Sequence, residues 1–179
     1  WKVREAMERG EQYGLEHPFT MQSTNLQDGG RFDTSKLQVP RLQKLLEEVD
    51  DPAEKARLET SFKAVRSRPR FMHIDLGLTN DSAGMAMGYV EDYVTVARRN
   101  EEGNEYQIRL PIVVIELMLE IKPPHEGEIE FAGVRNLVFE LRSYGYRIQK
   151  ITYDSYQSVD SVQQFKRAGI DAGYVSADT

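Results

Sequence analysis

Between residues 70 and 179, three strand-like apolar runs come first and two helix-then-strand units follow, an order that leaves few possible sheets. Phe71 to Leu76 is a short strand closed by Gly77. A polar turn, Leu78 to Ser82, leads into Ala83 to Val90, a second strand rich in the small residues that close packing on a sheet requires. Arg98 to Asn104 is a charged hairpin tip, and Tyr106 to Ile121 is a long apolar third strand ended by Pro123 and Pro124. Val134, Leu137, Val138, Leu141 and Tyr144 mark a helix stopped by Gly145. Ile148 to Tyr153 is a fourth strand, Ser158 an N-cap for a helix closing at Gly169, and Ala172 to Ser176 a fifth strand. The first three strands suit antiparallel hairpins, whereas the last two need helical crossovers and parallel pairing.

That succession, β-β-β-α-β-α-β, is the ribonuclease H-like pattern. The expected fold class is therefore α/β, a mixed five-stranded sheet of order 3-2-1-4-5 with strand 2 antiparallel, flanked by helices. Residues 1–69 read differently. Trp1 to Gly30 has weak periodicity and a polar, glycine-containing run, as in a linker or an arm that leans on something else. Leu42, Leu45, Leu46 and Val49 recur at helical spacing, giving an amphipathic helix ending near Asp50. Asp51 as N-cap and Pro52 at the first helical position restart a helix that runs to about Val65 and buries Leu58, Phe62 and Val65. The expected organisation is a helical connector over 1–69 and a sheet domain over 70–179. The N-terminus, Trp1-Lys2-Val3-Arg4, lacks Met and a signal-peptide core, so the chain reads as a fragment or processed piece.

Composition removes several classes. There is no cysteine, which excludes a disulfide scaffold and a thiolate zinc site. No apolar run approaches the roughly 20 residues of a membrane span. The formal charge of −6 argues against a dedicated nucleic-acid-binding module. It is unevenly spread: residues 1–70 carry 13 basic and 12 acidic side chains, residues 71–179 carry 10 and 17.

Asp75 ends the first strand and Asp154 follows the fourth. Parallel pairing of those strands brings both carboxylates to one edge of the sheet. Two such charges about 4 Å apart repel by roughly 4 kcal/mol at an effective dielectric near 20. Either one carboxyl keeps a proton or a divalent cation sits between them. Hard oxygen donors favour Mg²⁺ or Mn²⁺, and a two-ion site of that kind suits phosphodiester hydrolysis. Taken singly, either aspartate also fits turn or cap chemistry. Asp81, His73 and Ser158 are candidates around the pair. The alternatives for them are a solvated turn residue, a hydrogen-bonded histidine and a plain N-cap. Arg98, Arg99, Lys150, Lys166 and Arg167 are candidate DNA-backbone contacts, solvated faces by default. Arg66, Arg68 and Arg70 form a further basic cluster. Glu116 and Glu120 read as surface, and Met85 and Met87 as core.

Two segments carry a family resemblance. His73-Ile74-Asp75-Leu76-Gly77-Leu78-Thr79-Asn80-Asp81-Ser82-Ala83-Gly84 and Tyr153-Asp154-Ser155-Tyr156-Gln157-Ser158-Val159-Asp160-Ser161 closely resemble the C-terminal nuclease domain of the large terminase subunit of tailed bacteriophages and prophages. The resemblance covers about residues 70–179. It implies a ribonuclease H-like endonuclease that cuts concatemeric double-stranded DNA during packaging with two Mg²⁺ or Mn²⁺ ions. Asp75 and Asp154 match the first and second metal-binding acids. It further implies portal and small-terminase partners and the cytoplasm of a bacterial host. Ser176-Ala177-Asp178 resembles a Ser-x-Asp segment after the fifth strand. The family's third acid, from a later helix, is expected beyond Thr179, and its ATP-hydrolysing motor has no phosphate loop in this chain.

Asp75-Leu76-Gly77-Leu78-Thr79-Asn80 also looks like the first phosphate motif of the actin and sugar-kinase superfamily, where Asp75 would coordinate Mg²⁺-nucleotide. A non-catalytic docking domain of the same fold is the remaining alternative.

Overall fold

The computed structural model describes residues 20–24, 26, 33–77, 82–154 and 158–175. Its elements run β1 (Thr20–Thr24), α1 (Gln38–Glu48), α2 (Pro52–Ser67), β2 (Pro69–Asp75), β3 (Ala83–Arg99), β4 (Glu105–Ile121), α3 (Phe131–Ser143), β5 (Arg147–Tyr153), α4 (Val159–Arg167) and β6 (Asp171–Tyr174). The protein is α/β. Strands β2 to β6 form the expected mixed order 3-2-1-4-5: β3 is antiparallel to β2 and β4, and β5 is parallel to β2 and β6.

A sixth strand corrects the five-strand expectation. Part of the arm read as a linker, Thr20–Thr24, pairs in parallel with Leu117–Ile121 at the edge of the sheet. Leu37, Val39 and Val65, also from the stretch read as a connector, are buried in the same core as Met72, Ile74, Leu117 and Val138. The described part of the first 69 residues therefore contributes an edge strand and core side chains to the sheet domain. Helix α2 packs less deeply than its pattern implied. Asp51 caps it through Ala53 and Glu54 N–H, yet Leu58 and Phe62 are only half-buried and Val65 alone is buried.

Strand alternation sets what each face does. Arg70, Met72 and Ile74 point into the core, whereas Phe71, His73 and Asp75 lie on the exposed face. Helix α3 buries Val134, Leu137, Val138 and Leu141, and α4 buries Val162 and Phe165. Strand β3 runs well past the expected end at Val90, so β3 and β4 continue beyond the sheet as a two-stranded ribbon to Arg99 and Glu105.

Two expectations reverse for charged side chains. Glu116 is 1% exposed and Arg70 fully buried. Arg70 Nε donates to Glu116 Oε2 at 3.0 Å, and Nη1 donates to the carbonyls of Val65 and Arg68. The guanidinium also lies 5.3 Å from the Tyr89 ring and 5.1 Å from the Tyr146 ring. Burial holds the Tyr146 phenol far above its usual range, and the Glu116 charge adds to the shift. The pair is thus buried, and it joins the end of α2 to β4.

Gly88 stands at the register shift in β3. A Cβ there would meet the Val114 carbonyl oxygen at 2.6 Å, so Gly88→Ala is expected to cost about 1–3 kcal/mol of stability in urea denaturation. Nothing lies within 4 Å of a Cβ at Gly84, so Gly84→Ala is expected to change stability by less than about 1 kcal/mol. Equal losses would refute the close approach at Gly88.

Candidate active site

Asp75 and Asp154 meet because β2 and β5 are parallel neighbours in matched register. Ile74 pairs with Tyr153, so the next residue of each strand is an aspartate. Ile74 and Leu76 are buried on either side of Asp75, which fixes where its side chain emerges. Tyr153 does the same for Asp154: its ring is buried and its phenol is pushed up to about 12, chiefly by burial. Both aspartates are exposed, and their carboxyls lie within hydrogen-bonding reach of one another.

That contact raises the Asp75 pKa above its ordinary 3.8. The hydrogen bond with Asp154 is the largest cause, followed by desolvation and the Asp154 charge, while His73 acts in the opposite direction. The sign for stability follows. A carboxyl with a raised folded pKa favours folding fully below its unfolded pKa, and that contribution is lost as pH rises through the folded pKa. In an NMR titration the Asp75 carboxyl is expected to show its midpoint above 3.8, and Asp154→Asn should return it toward 3.8. An unshifted midpoint in the parent protein would mean that the carboxyls do not touch.

The other candidates divide. His73 shares the exposed face of β2, and its Nδ1 lies 2.9 Å from Thr152 Oγ1, which holds the ring against β5. Ser158 occupies the N-cap position of α4 but makes no capping bond through its side chain, and it is buried, contrary to a plain N-cap. Asp81, with Thr79, Asn80 and the Ser176-Ala177-Asp178 segment, lies outside the described residues.

The basic candidates do not converge. Lys150 pairs with Asp171 at 3.1 Å, and Arg99 pairs with Glu105 at 2.6 Å. Arg98 and Arg99 sit at the far end of the ribbon, roughly 30 Å along β3 from its pairing with β2. Lys166 and Arg167 lie in the last turn of α4. Of the cluster Arg66, Arg68 and Arg70, Arg70 is engaged in the buried pair.

One acid that sequence reasoning set aside is on the same face. Asp75 is directly opposite Gly84, and Gly84 is directly opposite Glu120. The side-chain-free Gly84 leaves open space between the two acids, which stand two strand spacings, roughly 10 Å, apart. Glu120 accepts from Ser82 Oγ at 3.0 Å. The signal was its alternation with buried Leu119 and Ile121 in β4. Among the described residues, no group of three or more His, Asp or Glu side chains is placed to share one metal ion. Beside the pair, an open groove of about 470 Å³ runs over the exposed sheet face, lined by Phe71, His73, Ala86, Gly88, Ile115 and Thr152. No described helix is long and apolar enough to cross a membrane.

Compared with family models, curated proteins and solved structures, the chain shows no match.

Proposed function

We propose that the chain is a metal-dependent endonuclease domain of ribonuclease H-like fold that hydrolyses double-stranded DNA. The terminase-like packaging role is what the resemblance of residues 73–84 and 153–161 implies. The observation that carries the reading is the contact between Asp75 and Asp154, two exposed carboxyls whose hydrogen bond, with desolvation and the Asp154 charge behind it, raises the Asp75 pKa. Such a pair favours a cation in place of the shared proton.

The donor set fits Mg²⁺ or Mn²⁺: carboxylate oxygens, accessible to solvent, with no sulfur. Asp75 and Asp154 would hold the metal, which when bound supplies charge neutralisation at the phosphate and a more acidic water. The chain's own residues do the rest. The buried neighbours Ile74, Leu76 and Tyr153 fix the two carboxyl positions. Thr152 holds the His73 ring on the same face, where it can contact a phosphate oxygen or a water. The sparse basic residues near the pair fit recognition of DNA by a larger assembly.

The test is conversion of supercoiled plasmid to nicked and linear forms by the purified chain with Mn²⁺, reversed by chelation. Thermal stabilisation by Mg²⁺-nucleotide, without cleavage, would replace this reading with the actin and sugar-kinase-like one. Stabilisation by neither ligand and no cleavage would leave a docking domain.

A further inference from the structure

The β3–β4 ribbon leaves the sheet as two paired strands, from Asp92 opposite Ile112 to Arg99 opposite Glu105. Directly opposite residues share a face, so the ribbon has two unlike sides. One carries Tyr93, Thr95, Ala97 and Arg99 against Pro111, Arg109, Gln107 and Glu105, and Arg109 covers the Tyr93 ring at 4.6 Å. The other carries Val94 and Val96 against Leu110 and Ile108, closed at its base by Asp92 with Ile112 and at its tip by Arg98 with Tyr106. On this second side Val94, Ile108, Ile112 and Tyr106 are 44%, 38%, 40% and 49% exposed, and no described element covers them. A two-stranded ribbon alone in water is marginally stable, and a continuous apolar face on one marks a contact surface.

The charges on that face say what it fits. It has an acid at one end, a base at the other and apolar side chains between. The pair Thr95–Arg109 lies midway, three residues from Asp92 and from Arg98 on β3, and three from Ile112 and from Tyr106 on β4. A two-fold axis through that level lays a second ribbon antiparallel on the first. It sets Arg98 of each copy over Asp92 of the other, Val94 over Val96, and Tyr106 over Ile112. The face is complementary to itself, which a two-fold interface requires.

We infer that the chain forms a two-fold dimer through the Val94–Val96–Ile108–Leu110 face of this ribbon, locked by paired Asp92–Arg98 contacts. Sedimentation equilibrium of the 179-residue chain, from about one to a few hundred micromolar, is expected to give a mass rising from 20.6 kDa toward twice that value. Ile108→Asp should hold it at the monomer mass. Asp92→Arg and Arg98→Asp each place two like-charge pairs in the interface and should weaken dimerisation about tenfold or more. Asp92→Arg combined with Arg98→Asp should restore it to within about threefold of the parent. Circular dichroism and thermal melts check the fold of each variant, and if Ile108→Asp does not fold, the charge reversals decide. A monomer at every concentration would overturn the inference and leave the face to a different partner. So would a dimer indifferent to these substitutions, or a double reversal no stronger than either single one.

Discussion

Asp75→Asn and Asp154→Asn are each expected to lower Mn²⁺-dependent plasmid nicking by about 100-fold or more, while the melting temperature without metal stays level or rises slightly. The two halves of this result have one cause. The carboxyls repel each other at neutral pH, so removing one charge relieves the folded state of a cost. The same removal takes away a donor that a cation needs. Mn²⁺ should accordingly raise the melting temperature of the parent protein and do so much less in either variant, because only the folded parent binds it tightly. Both aspartates are solvent-exposed, so loss of activity through unfolding is not expected. A variant that nicks as fast as the parent would assign the activity to a contaminating nuclease or to other residues.

The largest stability effect is expected at the buried ion pair. Glu116→Gln leaves the Arg70 guanidinium in the core without its counter-charge, and Arg70→Met strands the Glu116 carboxylate. Each should cost about 3–5 kcal/mol. For a chain of this size that corresponds to a melting point lower by roughly ten degrees. Arg70 Nη2 and Glu116 Oε1 find no hydrogen-bond partner among the described residues, so the pair is held by geometry that is good but incomplete. Replacing both partners, Arg70→Met with Glu116→Leu, should therefore recover most of the loss, since no buried charge remains. Urea midpoints at constant slope measure all three variants. A double variant as unstable as the singles would mean that packing against Tyr89 and Tyr146, rather than charge, is what matters at this position.

The strand order was legible because the apolar runs from Phe71 to Tyr153 are separated by residues with firm meaning: Gly77, Pro123, Pro124 and Gly145. Gly145 indeed ends α3 with a φ of 99°, a conformation that glycine adopts without strain. The meeting of Asp75 and Asp154 was legible for the same reason, as it follows from parallel pairing alone. Strand β1 was not, because Thr-Met-Gln-Ser-Thr has no apolar alternation and forms only where β4 offers an edge. The ribbon could have been read from Val94 and Val96 alternating with polar residues, although the charges on either side resemble a tip. Glu116 was not legible either: between Ile115 and Leu117 it reads as surface by strand alternation, as Glu120 does between Leu119 and Ile121. It turns inward at the register shift where Met87 is opposite Leu117 and Gly88 opposite Ile115, and there it pairs with Arg70 of β2.

The parallel pairing of Thr20–Thr24 with Leu117–Ile121 also constrains the order of folding. Its two partners are separated by most of the chain, so during synthesis the early segment must wait until β4 has left the ribosome before it can dock. Contacts of such long sequence separation form late and slowly. Until then the outer edge of β4 presents unpaired amides and carbonyls, a template for strands of other molecules. Thr20–Thr24 therefore covers an edge that β4 would otherwise leave open, and a refolding chain is expected to be more prone to aggregate before this strand docks.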